Sequence, residues 1–234
     1  MDNVFPQVVF TPFGIPVRDT VISTWVMMAL VVGGVILARQ RWPTVLEMLV
    51  GFLNDIISDV MGQSAEPFLP FLGALIIFIA GANVLGVLPA IPVPDELQGV
   101  LPWLPLERDK MLPIVTPTRD INTPLALAIA VFFAVHYFGV RGKGALGYLK
   151  SLSSPIFMLP LEIVGQLSRT LSLTLRLFGN VISTELIVAV IFMLIPPGVP
   201  LILMGFSMFT GVLQAYIFTS LAAVYIGAAL EEGE

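Results

Sequence analysis

Apolar residues along this chain fall into long runs broken by short polar interruptions, and the runs predict helices. Residues 21–38 form a nearly unbroken apolar stretch, about 27 Å long as a helix, against a hydrocarbon core of roughly 30 Å. Arg39 and Arg41 follow at once. From Pro43 to Gly62 the pattern changes: Thr44, Glu47, Gly51, Asn54, Asp55, Ser58 and Asp59 recur at steps of one to four residues, with apolar residues between them. That spacing predicts an amphipathic helix, opened by proline in its first turn and closed by glycine. Its polar face is acidic, so it is expected to lie on the membrane surface against protein rather than against anionic lipid. Residues 66–89 and 123–140 read as two further spans. Between them the 90–121 segment, rich in proline and charge, reads as an external loop long enough to fold into a cap.

The last third is longer than upright spans require. Residues 161–195 and 200–230 make helices of roughly 52 and 46 Å, so both are expected to tilt by about 50–55°. The Pro196-Pro197-Gly198-Val199-Pro200 link is short enough to force an antiparallel hairpin. The pattern thus predicts an all-α membrane protein with about five membrane-embedded helices, one amphipathic surface helix and a closing, steeply tilted helical hairpin, all in a single integral membrane domain.

Composition strengthens this and excludes other classes. The chain is 57% hydrophobic and only 12% charged, against about 25% for soluble proteins, and its mean hydropathy is +0.96. The first apolar run lacks a basic leader and a small-residue cleavage site, so it is expected to be a retained anchor rather than a cleaved signal peptide. Arg39 and Arg41, and later Arg141, Lys143 and Lys150, mark the cytoplasmic ends of spans, so the N-terminus is expected outside and the C-terminus inside. There is no cysteine, hence no disulfide or thiolate chemistry, and no metal or cofactor is expected. With net charge −5 and its 11 basic residues scattered, the chain has no footprint for nucleic acid.

Charge in the middle of an apolar segment is the chemical signal. Arg169 and Arg176 stand seven residues apart, two helical turns, and therefore project near one line. Glu162 and Gln166 extend that line backward, and Asn180 and Thr184 forward, whereas Glu185 falls roughly opposite Arg176. An Arg near the bilayer centre costs about 2.5–3.5 kcal/mol on insertion scales, so such a stripe needs a reason. A plain internal salt bridge is one, with Glu162 or Glu185 neutralising an arginine for packing alone. It fits Arg176 less well, because no acid lies three or four residues from it; its partner is expected on another helix or another chain. The second arm carries a sparser polar line at Ser207, Gln214 and Tyr225.

The motif LRLFGN (residues 175–180) followed by Glu185, and LQAYIF (213–218), resemble the C-terminal hairpin of subunit a of the membrane sector of F-type ATP synthases, bacterial type. GFLND (51–55), NVLGVLP (83–89) and PTRDINTPLALA (117–128) extend the resemblance over most of the chain in the family's order. The N-terminus is short for the family, and Ser207 stands where some members carry histidine. The resemblance implies an ion-translocating stator subunit in a bacterial inner membrane. Its implied partners are a ring of c subunits, the peripheral-stalk subunit b, other ATP synthase subunits and the bilayer. It implies two offset half-channels, with Arg176 facing the ring carboxylates and Asn180, Glu185, Gln214 and Ser207 near the ion pathways. Glu162, Gln166 and Arg169 share the arginine helix without a specific role carried over. H⁺ is the expected coupling ion, with Na⁺ as the alternative.

Two rivals remain in view. A secondary transporter also buries charge at mid-membrane, but such folds usually show internal repeats, and the amphipathic segment has no counterpart in the second half. A membrane-embedded enzyme needs a catalytic constellation. His136, the single histidine, sits beside Tyr137 at a span end and reads as a packing residue rather than a general base. No Gly-rich phosphate loop, GxSxG or HExxH occurs, so nucleotide chemistry is expected on other chains.

Overall fold

A computed structural model describes residues 8–10, 17–62, 65–87, 115–148, 159–194 and 198–231. A short antiparallel pair, β1 (Val8–Phe10) and β2 (Val17–Arg18), precedes the helices. Then come α1 (Asp19–Arg41), α2 (Pro43–Met61), α3 (Leu69–Val87), a single 3₁₀ turn (Pro117–Arg119), α4 (Asn122–Lys143), α5 (Leu159–Leu194) and α6 (Gly198–Glu231). The protein is an all-α membrane protein: among the described residues, five helices are long and apolar enough to cross a bilayer. Most of the 90–121 loop lies outside the described residues.

Prolines set several helix starts. Pro43 begins α2, whose end is closed by Gly62 in the left-handed conformation (φ 65°). Pro70, Pro160 and Pro200 all sit in first turns, where a missing N–H removes no helical hydrogen bond. Pro200 therefore belongs to α6 rather than to the link before it. The expected 66–89 span begins later, at Leu69, after a turn in which Ala65 O accepts from Leu69 N.

The closing hairpin is antiparallel. Arg169, early in α5, stacks over Tyr225, late in α6, while Glu185 and Ser207 line one cavity near the other end. At about 1.5 Å per residue, α5 and α6 run roughly 54 and 51 Å. α6 is the central element: it packs most extensively on α3 and also on α2, α4 and α5. Leu72 and Ile79 (α3), Val131 (α4), Leu177 (α5) and Phe218, Ala222 and Ile226 (α6) are fully buried at their junction. Lipid offers no hydrophobic drive for helices to associate, so close approach by small residues decides the packing. At Gly211 of α6 an added Cβ would lie 2.6 Å from Asn83 Cβ of α3, so only glycine admits this crossing. The periphery is apolar as well: α1 exposes Trp25, Leu30, Val32, Ile36 and Leu37. An apolar surface that continuous suits lipid rather than water.

Candidate functional site

The polar line on α5 does not stay one line. At its beginning Gln166 Nε2 donates to Glu162 Oε1 at 2.8 Å, Arg169 Nη1 stands 4.0 Å from the same oxygen, and the guanidinium lies 5.4 Å above the Tyr225 ring. The internal pairing of Arg169 with Glu162 weighed from the sequence is therefore present. Both side chains are partly exposed, which holds such a pair to about 1 kcal/mol or less.

Arg176 is different. Leu173, Thr174 and Leu177 take the inward face of this turn, and Arg176 stands exposed beside Leu171 and Leu175. Among the described residues it makes no ion pair.

Beyond it, α5 turns a third polar sector inward. Asn180, Thr184 and Glu185 line an open cavity of about 320 Å³, together with Asn83 and Gly86 of α3, Thr116, and Ser207, Thr210 and Gly211 of α6. That volume admits several water molecules, and its hydroxyl, amide and carboxyl groups supply the partners such waters need. The cavity sector is centred roughly 110° around the helix from Arg176, which explains how Asn180 and Glu185, on different lines in the sequence, come to share it.

One wall of the cavity is a charge network that reaches across the chain. The Thr116 hydroxyl donates to Glu185 Oε1 at 2.7 Å, and Arg119 Nη1 lies 3.9 Å from Glu185 Oε2. Arg119, 5% exposed, donates from Nη2 to Asp19 Oδ2 at 2.9 Å. Asp19 opens α1, where the helix dipole favours an anion, and its Oδ1 accepts the Thr20 N–H at 2.8 Å. Asp120 receives Arg18 Nη1 at 2.6 Å and the Asn122 N–H at 3.1 Å, tying β2 to the start of α4. That contact raises the Arg18 pKa further, chiefly through the Asp120 hydrogen bond. Thr118 donates to Asn83 Oδ1 at 2.9 Å, and Asn83 Nδ2 donates to the Gly211 carbonyl at 3.0 Å. Gly86 allows the Thr116 backbone in: a Cβ there would lie 2.8 Å from Thr116 Cα.

Among the other sequence candidates, Ser207 lines the cavity while its hydroxyl donates to Leu203 O at 2.9 Å. Gln214 is 6% exposed and lies outside the cavity lining, and its Nε2 has no hydrogen-bond partner among the described residues. His136 hydrogen-bonds Phe132 O at 2.8 Å and packs against Phe132 and Tyr148, a packing residue. Asp19, Thr116 and Arg119 were not legible as site residues. A charge or hydroxyl at the edge of a span is ordinary in a sequence. The one signal was the PTRD run, already part of the resemblance.

Five membrane-length helices, three of which line a cavity with an ionisable wall, define an integral, multi-pass membrane protein. The model of the ATP synthase A chain family matches residues 20–227. ATP synthase subunit a 2 of Bradyrhizobium sp. is 40% identical over 224 residues, covering 92% of this chain and 90% of that one. Subunit a 2 of Picosynechococcus sp. is 38% identical, covering 91% and 86%; subunit a 1 of Chlorobaculum tepidum is 37% identical, covering 90% and 89%. The chain belongs to the ATP synthase A chain family.

Proposed function

We propose that this chain is the ion-translocating stator subunit of a rotary ATP synthase, in which two offset half-channels open on either side of Arg176 against a ring of c subunits. The observation that carries it is the bare Arg176. A guanidinium on the exposed face of a membrane helix, with no acid of its own chain among the described residues, needs a counter-ion from another chain. A ring carboxylate is that counter-ion. Along α5, Glu162 lies about 21 Å to one side of Arg176 and Glu185 about 14 Å to the other, so polar clusters flank the arginine at both ends.

The cavity with Asn180, Glu185 and Ser207 is one half-channel, and Glu162, Gln166 and Arg169 belong to the other. H⁺ enters through cavity water to Glu185, passes to a ring carboxylate, and leaves on the other side after the ring has turned. Arg176 stays protonated, attracts each carboxylate as it loses its proton, and separates the two routes. At 4 Å and an effective dielectric of about 20 this attraction is about 4 kcal/mol, worth up to roughly three pKa units, and partial hydration keeps it temporary. The unpartnered, buried Gln214 amide supports a donor role toward an internal water beside the path. Basic residues in the last turns of α1 and α4 support a cytoplasmic location for those ends, with the N-terminus outside and the C-terminus inside a bacterial inner membrane. Subunit b and other ATP synthase subunits complete the set of partners.

In an assembled complex, Arg176→Ala abolishes ATP synthesis and ATP-driven pumping while allowing a passive leak, and Arg176→Lys loses most coupling because its ammonium is compact and strongly hydrated. Near-normal coupled transport in assembled Arg176→Ala would overturn the mechanism. The same assay with millimolar Na⁺ tests the ion: no stimulation is expected, and strong stimulation assigns Na⁺ instead.

A further inference from the structure

The two contacts of Arg119 are unequal. Asp19 holds one terminal nitrogen at hydrogen-bond distance, 2.9 Å, whereas Glu185 Oε2 stands 3.9 Å from the other, within reach of its charge but not hydrogen-bonded to it. Thr116 fixes the remaining carboxyl oxygen, Oε1, at 2.7 Å. Glu185 Oε2 is thus the oxygen without a hydrogen bond among the described residues, on a side chain 27% exposed that lines the cavity. Oε2 is therefore the oxygen open to a proton from the cavity, and the nearest charge to it among the described residues is Arg119.

We propose that Arg119 is a positioning residue for proton transfer at Glu185: its charge sets the pH at which Glu185 loads, and Asp19 keeps that charge compensated whenever Glu185 is neutral. This rests on Glu185 lying in the ion path. The charge count explains the third member. With Glu185 ionised the three groups sum to −1, and with Glu185 protonated they sum to zero. Without Asp19 the corresponding sums are zero and +1, so each loading event would leave a buried guanidinium uncompensated, a state that resists protonation. Asp19 is anchored for that task at a helix N-terminus, where its Oδ1 accepts the Thr20 N–H. Among the described residues, the charged groups around Glu185 are Arg119, Asp19 behind it, and the Arg18–Asp120 pair further out. α3 and α6 present only uncharged Asn83, Ser207 and Thr210 to the cavity, and Arg176 lies nine residues away on the same helix.

The test uses the whole complex in vesicles, with ATP synthesis driven by a fixed diffusion potential at equal pH on both sides, scanned over pH and normalised to uncoupled ATP hydrolysis. Removing the cation lets the carboxyl hold its proton to higher pH, so Arg119→Gln moves the midpoint up by about one unit. Removing the permanent counter-ion leaves the cation to Glu185 alone, so Asp19→Asn moves the midpoint down. Arg119→Lys restores most of the native profile. Opposite shifts are what a purely structural role does not produce. Shifts of the same sign, or none, overturn the proposal, as does loss of assembly in both variants. If Arg119→Gln alone fails to assemble, the downward shift in Asp19→Asn decides. Glu185→Gln separates the two levels: an unchanged profile there removes Glu185 from the path altogether, while a changed one with no shift in Arg119→Gln defeats only the role given to Arg119.

Discussion

Arg119 and Arg176 carry the same group into opposite surroundings. Arg119 is buried, hydrogen-bonded to Asp19 and within 3.9 Å of Glu185, so its charge is neutralised inside the chain. Arg176 is exposed on a membrane helix and meets no acid among the described residues. The first therefore contributes to holding α1, the Pro117–Arg119 turn and α5 together. The second finds no counter-ion among the described residues, and in the function proposed above its cost is offset when a ring subunit presents a carboxylate. Arg169 stands between them, half exposed, with a loose ion pair to Glu162 and a ring beneath it. Burial and the source of the counter-ion, not the side chain, separate a structural arginine from one free to act on a moving partner.

The two arginines differ most in what they contribute to stability. Breaking a buried pair leaves an uncompensated charge, so Arg119→Met is expected to destabilise the detergent-purified protein by about 3–5 kcal/mol in thermal denaturation. Adding Asp19→Leu should recover most of that loss, because the two effects are not additive. Arg176→Met should leave the unfolding temperature of the isolated chain unchanged or raised. Equal losses at both arginines would erase the distinction.

Water reaches positions 185 and 214 to different extents. Cysteine at position 185 faces the cavity, whereas cysteine at 214 replaces a side chain 6% exposed. An aqueous thiol reagent should modify the first at least about tenfold faster, a difference of about 1.4 kcal/mol in barrier. Comparable rates would mean that water reaches the α6 core as freely as the cavity. The smallest effect belongs to the intermediate case: Arg169→Ala should cost about 1 kcal/mol or less and retain part of the coupled activity, measured beside Arg176→Ala. Complete loss of coupling there would move Arg169 into the same category as Arg176.

The sequence alone determined the helical class, the order of spans and the closing hairpin, because apolar run length and period are local properties that the bilayer thickness converts into helices. It also singled out Arg176, whose cost in an apolar segment is visible without a fold, and the resemblance marked Asn180, Glu185 and Ser207, which do share a cavity. Only the tertiary structure decided how the polar line divides. Asp19 and Arg119 are 100 residues apart in sequence, and Arg119 meets Glu185 only because the Pro117–Arg119 turn packs between α1 and α5. The β1–β2 pair and the start of α6 at Gly198 were settled the same way, by neighbours rather than by run length. Whether a charge is paired or bare depends on distances between segments that no local period encodes. In a membrane those distances follow from close contacts such as Gly211 on Asn83, where one missing Cβ lets two helices approach.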